Sequence, residues 1–208
     1  MLKLPRAPQI AILLVLSALP AWAGFCSSDS PSEPRHDFQF FAGYSHVSAT
    51  LIGTTADRRL IIAGFGYSYR CWLWPGVSIS YSGELTPAAV LLQPGQYLPQ
   101  LVPAHAVYGF AVTPFGFTAD FGRRHRVFPF LQTNEGIIAS SEPIPINVTG
   151  ATGLNFLIDI GGDVRIKTGQ LRAISLGYKF LHISNGFTSP VNPGVDNNVF
   201  YAGFSILK

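Results

Sequence analysis

The chain predicts an all-β fold, an eight-stranded antiparallel transmembrane β-barrel, and three observations predict it. Charged residues are only 12% of the chain while 48% are hydrophobic and 13% aromatic, an unusual balance for a soluble protein of 208 residues. After the first two dozen residues, no apolar run approaches the roughly 18 residues of a membrane helix. Apolar and polar residues instead alternate at period two, in segments bounded by Gly, Pro and Asn clusters. Hydrophobicity spread through short alternating segments suits strands in lipid, and only a closed barrel satisfies every backbone group there without helices.

The N-terminus reads as a secretory signal peptide over residues 1–23. Lys3 and Arg6 supply a basic start, Ile10 to Leu19 an apolar core, and Ala21-Trp22-Ala23 a small-x-small cleavage site. Residues 24–36 are polar and rich in Pro and Ser, and predict a flexible periplasmic leader. The barrel is expected over 37–208, a length that fits one domain.

Eight strands are predicted, at 38–47, 60–70, 77–85, 104–118, 126–139, 153–167, 170–184 and 198–207. The second sets Ile61, Ala63, Phe65, Tyr67 and Tyr69 against Gly64, Gly66, Ser68 and Arg70. The third sets Val77, Ile79 and Tyr81 against Ser78, Ser80, Ser82 and Glu84. The sixth is the clearest. Leu154, Phe156, Ile158, Ile160, Val164 and Ile166 share one face, while Asn155, Asp159, Gly161, Asp163, Arg165 and Lys167 share the other, with Leu157 as an intruder. An apolar outside and a charged inside make a barrel wall in a membrane. A soluble barrel would hide the same apolar face inside. The low charge and abundant aromatics favour the membrane reading. The connections 48–59, 86–103, 140–152 and 185–197 are long and alternate with short ones, as expected if short turns face the periplasm. Trp72 and Trp74 read as interfacial anchors. Cys26 and Cys71 both fall on the periplasmic side by this topology, so a disulfide and two free thiols are both open.

The seventh strand carries the chemistry. Ile174, Leu176, Tyr178, Phe180, His182 and Ser184 share the lipid face, opposite Ala173, Ser175, Gly177 and Lys179. His182 and Ser184 therefore continue an apolar stripe to its outer end, the level where acyl esters of outer-leaflet lipid lie. A serine hydroxyl needs an imidazole to take its proton, and the imidazole needs a carboxylate to orient it. Asp196, ahead of the eighth strand, can fold back to His182. Gly186 offers a flexible backbone amide and Asn192 a side-chain donor for an oxyanion. By spacing alone, His182 and Ser184 also fit interfacial polar residues, and Asn192-Pro193-Gly194 an ordinary turn.

Other chemistries find little support. No G-x-S-x-G elbow of an α/β-hydrolase occurs. No Cys/His metal cluster and no cofactor motif stand out. A net charge of +3, which includes the N-terminal Lys and Arg, gives no sign of nucleic-acid binding. Arg123-Arg124-His125-Arg126 reads as a turn at a phosphate-rich interface.

The run His182-Ile183-Ser184-Asn185-Gly186, followed by Asn192, Gly194 and Asp196, resembles the active-site signature of the PagL-type lipid A 3-O-deacylases. Ser175 to Phe180 resembles that family's preceding strand, so the specific likeness covers about the last forty residues. The resemblance implies an outer-membrane serine esterase that hydrolyses the ester-linked 3-hydroxyacyl chain of lipid A, with no cofactor and with lipopolysaccharide and outer-membrane lipids as partners. It implies His182 as base, Ser184 as nucleophile, Asp196 as orienting acid, and Asn192 with a nearby loop amide around the oxyanion; Asn185, Gly186 and Gly194 support them. The family pattern carries Glu where this chain has Asp196, so Glu is expected to be acceptable there, and the shorter Asp requires loop 185–197 to bring its backbone closer to His182. Two alternatives remain: a non-catalytic structural or adhesive barrel, in which loop 86–103 would matter most, and an esterase or acyltransferase acting on phospholipid. Homodimer formation and acyl-chain preference are left open.

Overall fold

The computed structural model describes residues 34–98, 100–146 and 148–208. The expected signal peptide and nearly all of the expected leader lie outside them. The strands are β1 (His36–Ala49), β2 (Arg59–Trp74), β3 (Val77–Gln93), β4 (Gln96–Leu98), β5 (Gln100–Val102), β6 (His105–Phe121), β7 (Val127–Ile144), β8 (Thr152–Gly169), β9 (Arg172–Ser184) and β10 (Val195–Leu207). Eight of them close a barrel in the order β1-β10-β9-β8-β7-β6-β3-β2, and every pairing is antiparallel. β4 and β5 form a separate two-stranded hairpin.

The strands outrun the expected ones. β3 continues to Gln93 and β7 to Ile144, so most of the expected loop 86–103 is strand and hairpin, and the loop after β7 shortens. At 13 to 18 residues the barrel strands exceed the roughly 9–11 that span a bilayer. Much of the excess lies at the loop end, where β3 and β7 run on past Leu85 and Ala139. Alternation along Leu85–Gln93 and Ala139–Ile144 is broken by register shifts at Thr86/Ala89 and after Ala139, which hides these extensions from a period-two reading. β1 also starts at His36, inside the expected leader.

Short turns join β2 to β3, β6 to β7 and β8 to β9, on the side where the start of β1 meets the end of β10: Arg35 and His36 donate their amides to Lys208 O, both at 2.8 Å. The basic turn lies at this end. Arg123 folds back to donate to Asp120 at 3.0 Å, while Arg124, His125 and Arg126 stand exposed. Cys71 is disulfide-bonded; Cys26 lies outside the described residues.

Parity follows the sequence pattern. Phe38, Phe40, Phe65, Leu131, Phe156, Ile158, Ile160, Leu176 and Phe200 stand exposed on the outer wall, whereas Asp159, Asp163, Arg165, Ser175 and Lys179 are buried in the lumen. The interior departs from the uniformly polar one expected. Toward the periplasm it is charged: Arg165 bonds Asp37 at 2.5 Å, and Lys179 donates to Glu84 with Asp159 at 3.8 Å. Pairing is what makes such burial tolerable. Toward the loops the lumen is apolar, filled by Leu60, Ile62, Leu91, Val107, Ile138, Leu157, Leu181 and Ile183. Leu157 belongs to this plug and is no intruder. Two cavities in the lumen, one beside Lys179 and one beside Arg165, hold about 10 Å³ each, room for about one water. Lipid therefore has no route through the lumen, and chemistry on lipid must take place on the outer wall.

Candidate active site

β9 carries His182 and Ser184 to the loop end of the barrel. Ala173, Ser175, Lys179, Leu181 and Ile183 are buried inward, and Ile174, Leu176, Tyr178 and His182 alternate with them on the outward side; Ser184 shares that parity but is itself buried, at 8% exposure. The pairings agree, because His182 lies opposite Ile158 and Ser184 opposite Phe156, both on the lipid face.

Asp196 reaches His182 through strand register. β10 begins at Val195, three residues earlier than expected, and Asp196 is the direct cross-strand partner of His182. Facing Cβ atoms in such a pair stand roughly 5 Å apart. That gap suits the short Asp side chain: His182 Nδ1 and Asp196 Oδ1 are 2.6 Å apart. The expected fold-back of a loop is thus replaced by strand pairing. With Nδ1 held by the carboxylate, Nε2 is the nitrogen left for proton transfer.

Ser184 sits two residues beyond His182, roughly 7 Å along the strand. Among the described residues no hydrogen bond joins the two side chains, a separation that apo sites often show.

The loop after β9 is organised by Asn185. Its side-chain amide donates to Gly150 O at 2.7 Å and Val191 O at 2.9 Å, and its Oδ1 accepts the Phe187 amide at 2.9 Å. The Asn185 amide donates to Asn192 Oδ1 at 3.0 Å. Asn185 is thereby fully used within the loop, while Asn192 keeps its Nδ2 donor for other partners. Gly186 and Phe187 both adopt positive φ, 58° and 62°, a reversal that costs little for glycine and more for phenylalanine. Gly194 is held by close approach: a Cβ there would meet His182 Cε1 at 2.7 Å and Gly53 Cα at 3.0 Å.

Leu51, Ile52 and Gly53, between β1 and β2, escape the sequence reading. Their backbone amides converge on Asp196 Oδ2 at 2.8, 2.7 and 2.9 Å. The carboxylate is fully buried, yet both its oxygens are bonded. Backbone donors have no side-chain signature, so only Gly53, amid Thr and Leu, hinted at a close approach.

These features define a class: a lipid-facing outer-membrane barrel with a buried carboxylate–imidazole pair and a serine at its outer rim. The profile of the PagL family, lipid A 3-O-deacylase, matches residues 63–205. The chain belongs to this family of outer-membrane ester hydrolases. Among solved structures, the outer membrane enzyme PagL superposes with a TM-score of 0.57 at 16% identity, over 81% of this chain and 98% of that one. Neisserial surface protein A superposes with a TM-score of 0.52 at 12% identity, over 82% and 96%. At such identities the likenesses speak for the barrel fold. No curated protein sequence gives a significant match.

Proposed function

We propose that this protein hydrolyses the 3-O-linked 3-hydroxyacyl ester of lipid A in the outer leaflet by a serine mechanism, with Ser184 as nucleophile, His182 as base and Asp196 as orienting acid. The observation that carries this reading is the 2.6 Å contact between His182 Nδ1 and Asp196 Oδ1 on the membrane-facing wall, beside Ser184. A buried carboxylate is costly unless each oxygen is bonded. A purely structural barrel gains nothing from building one at its lipid rim.

In the proposed reaction Ser184 Oγ attacks the ester carbonyl carbon while His182 Nε2 takes the hydroxyl proton. Asp196 stabilises the imidazolium without itself being protonated. The Gly186 amide and Asn192 Nδ2 are the donors assigned to the oxyanion. The tetrahedral centre collapses, the C–O bond to the sugar breaks, and the released 3-hydroxyl takes the proton from His182. Water then attacks the acyl-serine with His182 again as base, and a 3-hydroxy fatty acid leaves with Ser184 restored. All the named residues come from one chain, so the reaction needs no second copy. Asn185 and Gly194 support the site by shaping the loop and admitting the His182 ring.

Mass spectrometry of lipid A from cells with and without the protein tests the reading. Loss of one 3-hydroxyacyl mass only where the protein is present is expected. Unchanged lipid A with new lysophospholipid would replace lipid A by phospholipid as substrate, and no change in either lipid would leave the non-catalytic barrel.

A further inference from the structure

We infer that the segment Leu51-Ile52-Gly53 is a positioning element of the active site: its three successive amides form an anion nest that clamps Asp196 and, through it, His182. The inference rests on the assignment of Asp196 as the orienting acid.

The nest stands on geometry. Asp196 Oδ1 is taken by His182, and Oδ2 receives three backbone N–H groups between 2.7 and 2.9 Å. Successive amides converging on one oxygen make a concavity for negative charge. Four donors hold the carboxylate plane, so the oxygen that faces His182 cannot rotate away. The imidazole is then fixed in both tautomer and ring angle, as a base must be.

Side-chain packing does not explain why the segment lies there. Leu51 is 77% exposed and Ile52 64%, so the apolar groups bury little. The segment is held by its backbone. Besides the bonds to Asp196, the amides of Thr54 and Thr55 donate to Gly194 O at 3.0 and 3.1 Å, and Thr55 bridges Val195. At the far end of the loop the Arg58 amide donates to Ser48 Oγ at 2.9 Å. Contact at Gly53 is so close that a Cβ would lie 2.6 Å from Gly194 O and 3.0 Å from Asp196 Oδ1. Gly53 and Gly194 therefore face one another as a pair, each bare so that the nest, the carboxylate and the His182 ring can share one small volume.

The nest also rationalises Asp at position 196. Cross-strand pairing already brings the carboxylate to His182, and the amides of 51–53 close the space beyond. A longer acid would have to push one of the two aside.

Two variants test the inference. Ile52→Pro removes one donor, because proline has no N–H. Gly53→Ala pushes the nest off the carboxylate. Each is measured in the full-length protein in detergent micelles, with purified lipid A as substrate, and again on an Asp196→Ala background. Heat-modifiable gel migration reports barrel folding. A displacement near 1 Å costs on the order of 100-fold in rate, so each variant is expected to lower kcat by about 10- to 100-fold with KM unchanged. On the Asp196→Ala background neither should lower kcat further, since the element acts through Asp196. Wild-type kcat in both folded variants would overturn the inference, as would equal losses on the two backgrounds. A wild-type rate for Asp196→Ala alone would instead overturn the assignment of the orienting acid.

Discussion

Replacing Gly194 by alanine adds one methyl group and isolates how tightly the site is set. The new Cβ would stand 2.7 Å from His182 Cε1 and 3.0 Å from Gly53 Cα. Carbon atoms rest at roughly 3.5–4.0 Å, so the His182 ring must retreat by about 1 Å. It cannot do so freely, because Asp196 holds Nδ1 at 2.6 Å and three amides hold Asp196. The ring therefore shifts relative to Ser184, away from the position proton transfer requires. A misplacement of that size costs on the order of 100-fold in rate, or about 2.7 kcal/mol of transition-state stabilisation. The barrel should persist, since Gly194 precedes β10 and lies in none of the barrel pairings. Initial rates of fatty acid release from lipid A by the refolded variant give kcat, and heat-modifiable migration confirms folding. A folded Gly194→Ala variant that kept more than a third of wild-type kcat would refute the reasoning, because the ring would then have room the structure denies it.

Ser184→Ala and His182→Ala should each lower turnover by at least about a thousandfold while the barrel still folds, because strand parity keeps both side chains out of the lumen core; near-wild-type turnover in either would remove its assigned role. Asp196→Asn should cost about 10²- to 10⁴-fold, since the imidazolium loses its carboxylate. Asp196→Glu restores the charge, but its extra methylene meets the amides of Leu51, Ile52 and Gly53. We therefore expect it to fall between Asn and wild type rather than to match wild type, and full activity would mean the nest is soft. Ile158→Arg puts a charge on the lipid face and should cost about 2–4 kcal/mol near the bilayer middle. Asp159→Asn should be milder and confined to lumen bonds, such as the 3.2 Å contact with Asn134. Unfolding midpoints in detergent would rank the two, and the opposite ranking would invert the assigned faces.

Much of the architecture is legible in the residues. Alternation along 154–166 and 174–184 fixes which side chains face lipid, because a strand turns successive side chains to opposite faces and no packing detail can change that parity. It also places His182 and Ser184 on the wall, where a lipid can reach them. Turn residues likewise mark the short periplasmic links. Strand ends are different. Beyond Leu85 and Ala139 the register shifts, so alternation fails although pairing continues. The apolar plug is less legible: parity opposite Ile61 and Ala63 turns Leu60 and Ile62 inward, but only the closed barrel brings them against Leu91 and Ile183.

Residue types name the participants in the site, and only the tertiary structure decides how they meet. His182, Ser184 and Asp196 are visible as chemistry in the sequence. That Asp196 faces His182 by register, and needs no loop to fold back, depends on where β10 begins. The nest lies still further from reach. It is built from backbone amides some 140 residues away in the chain, and β1 comes beside β10 only when the barrel closes. Side-chain chemistry is local and is written in each residue, whereas a backbone N–H is common to every residue but proline. Its role comes from position alone, and position belongs to the fold.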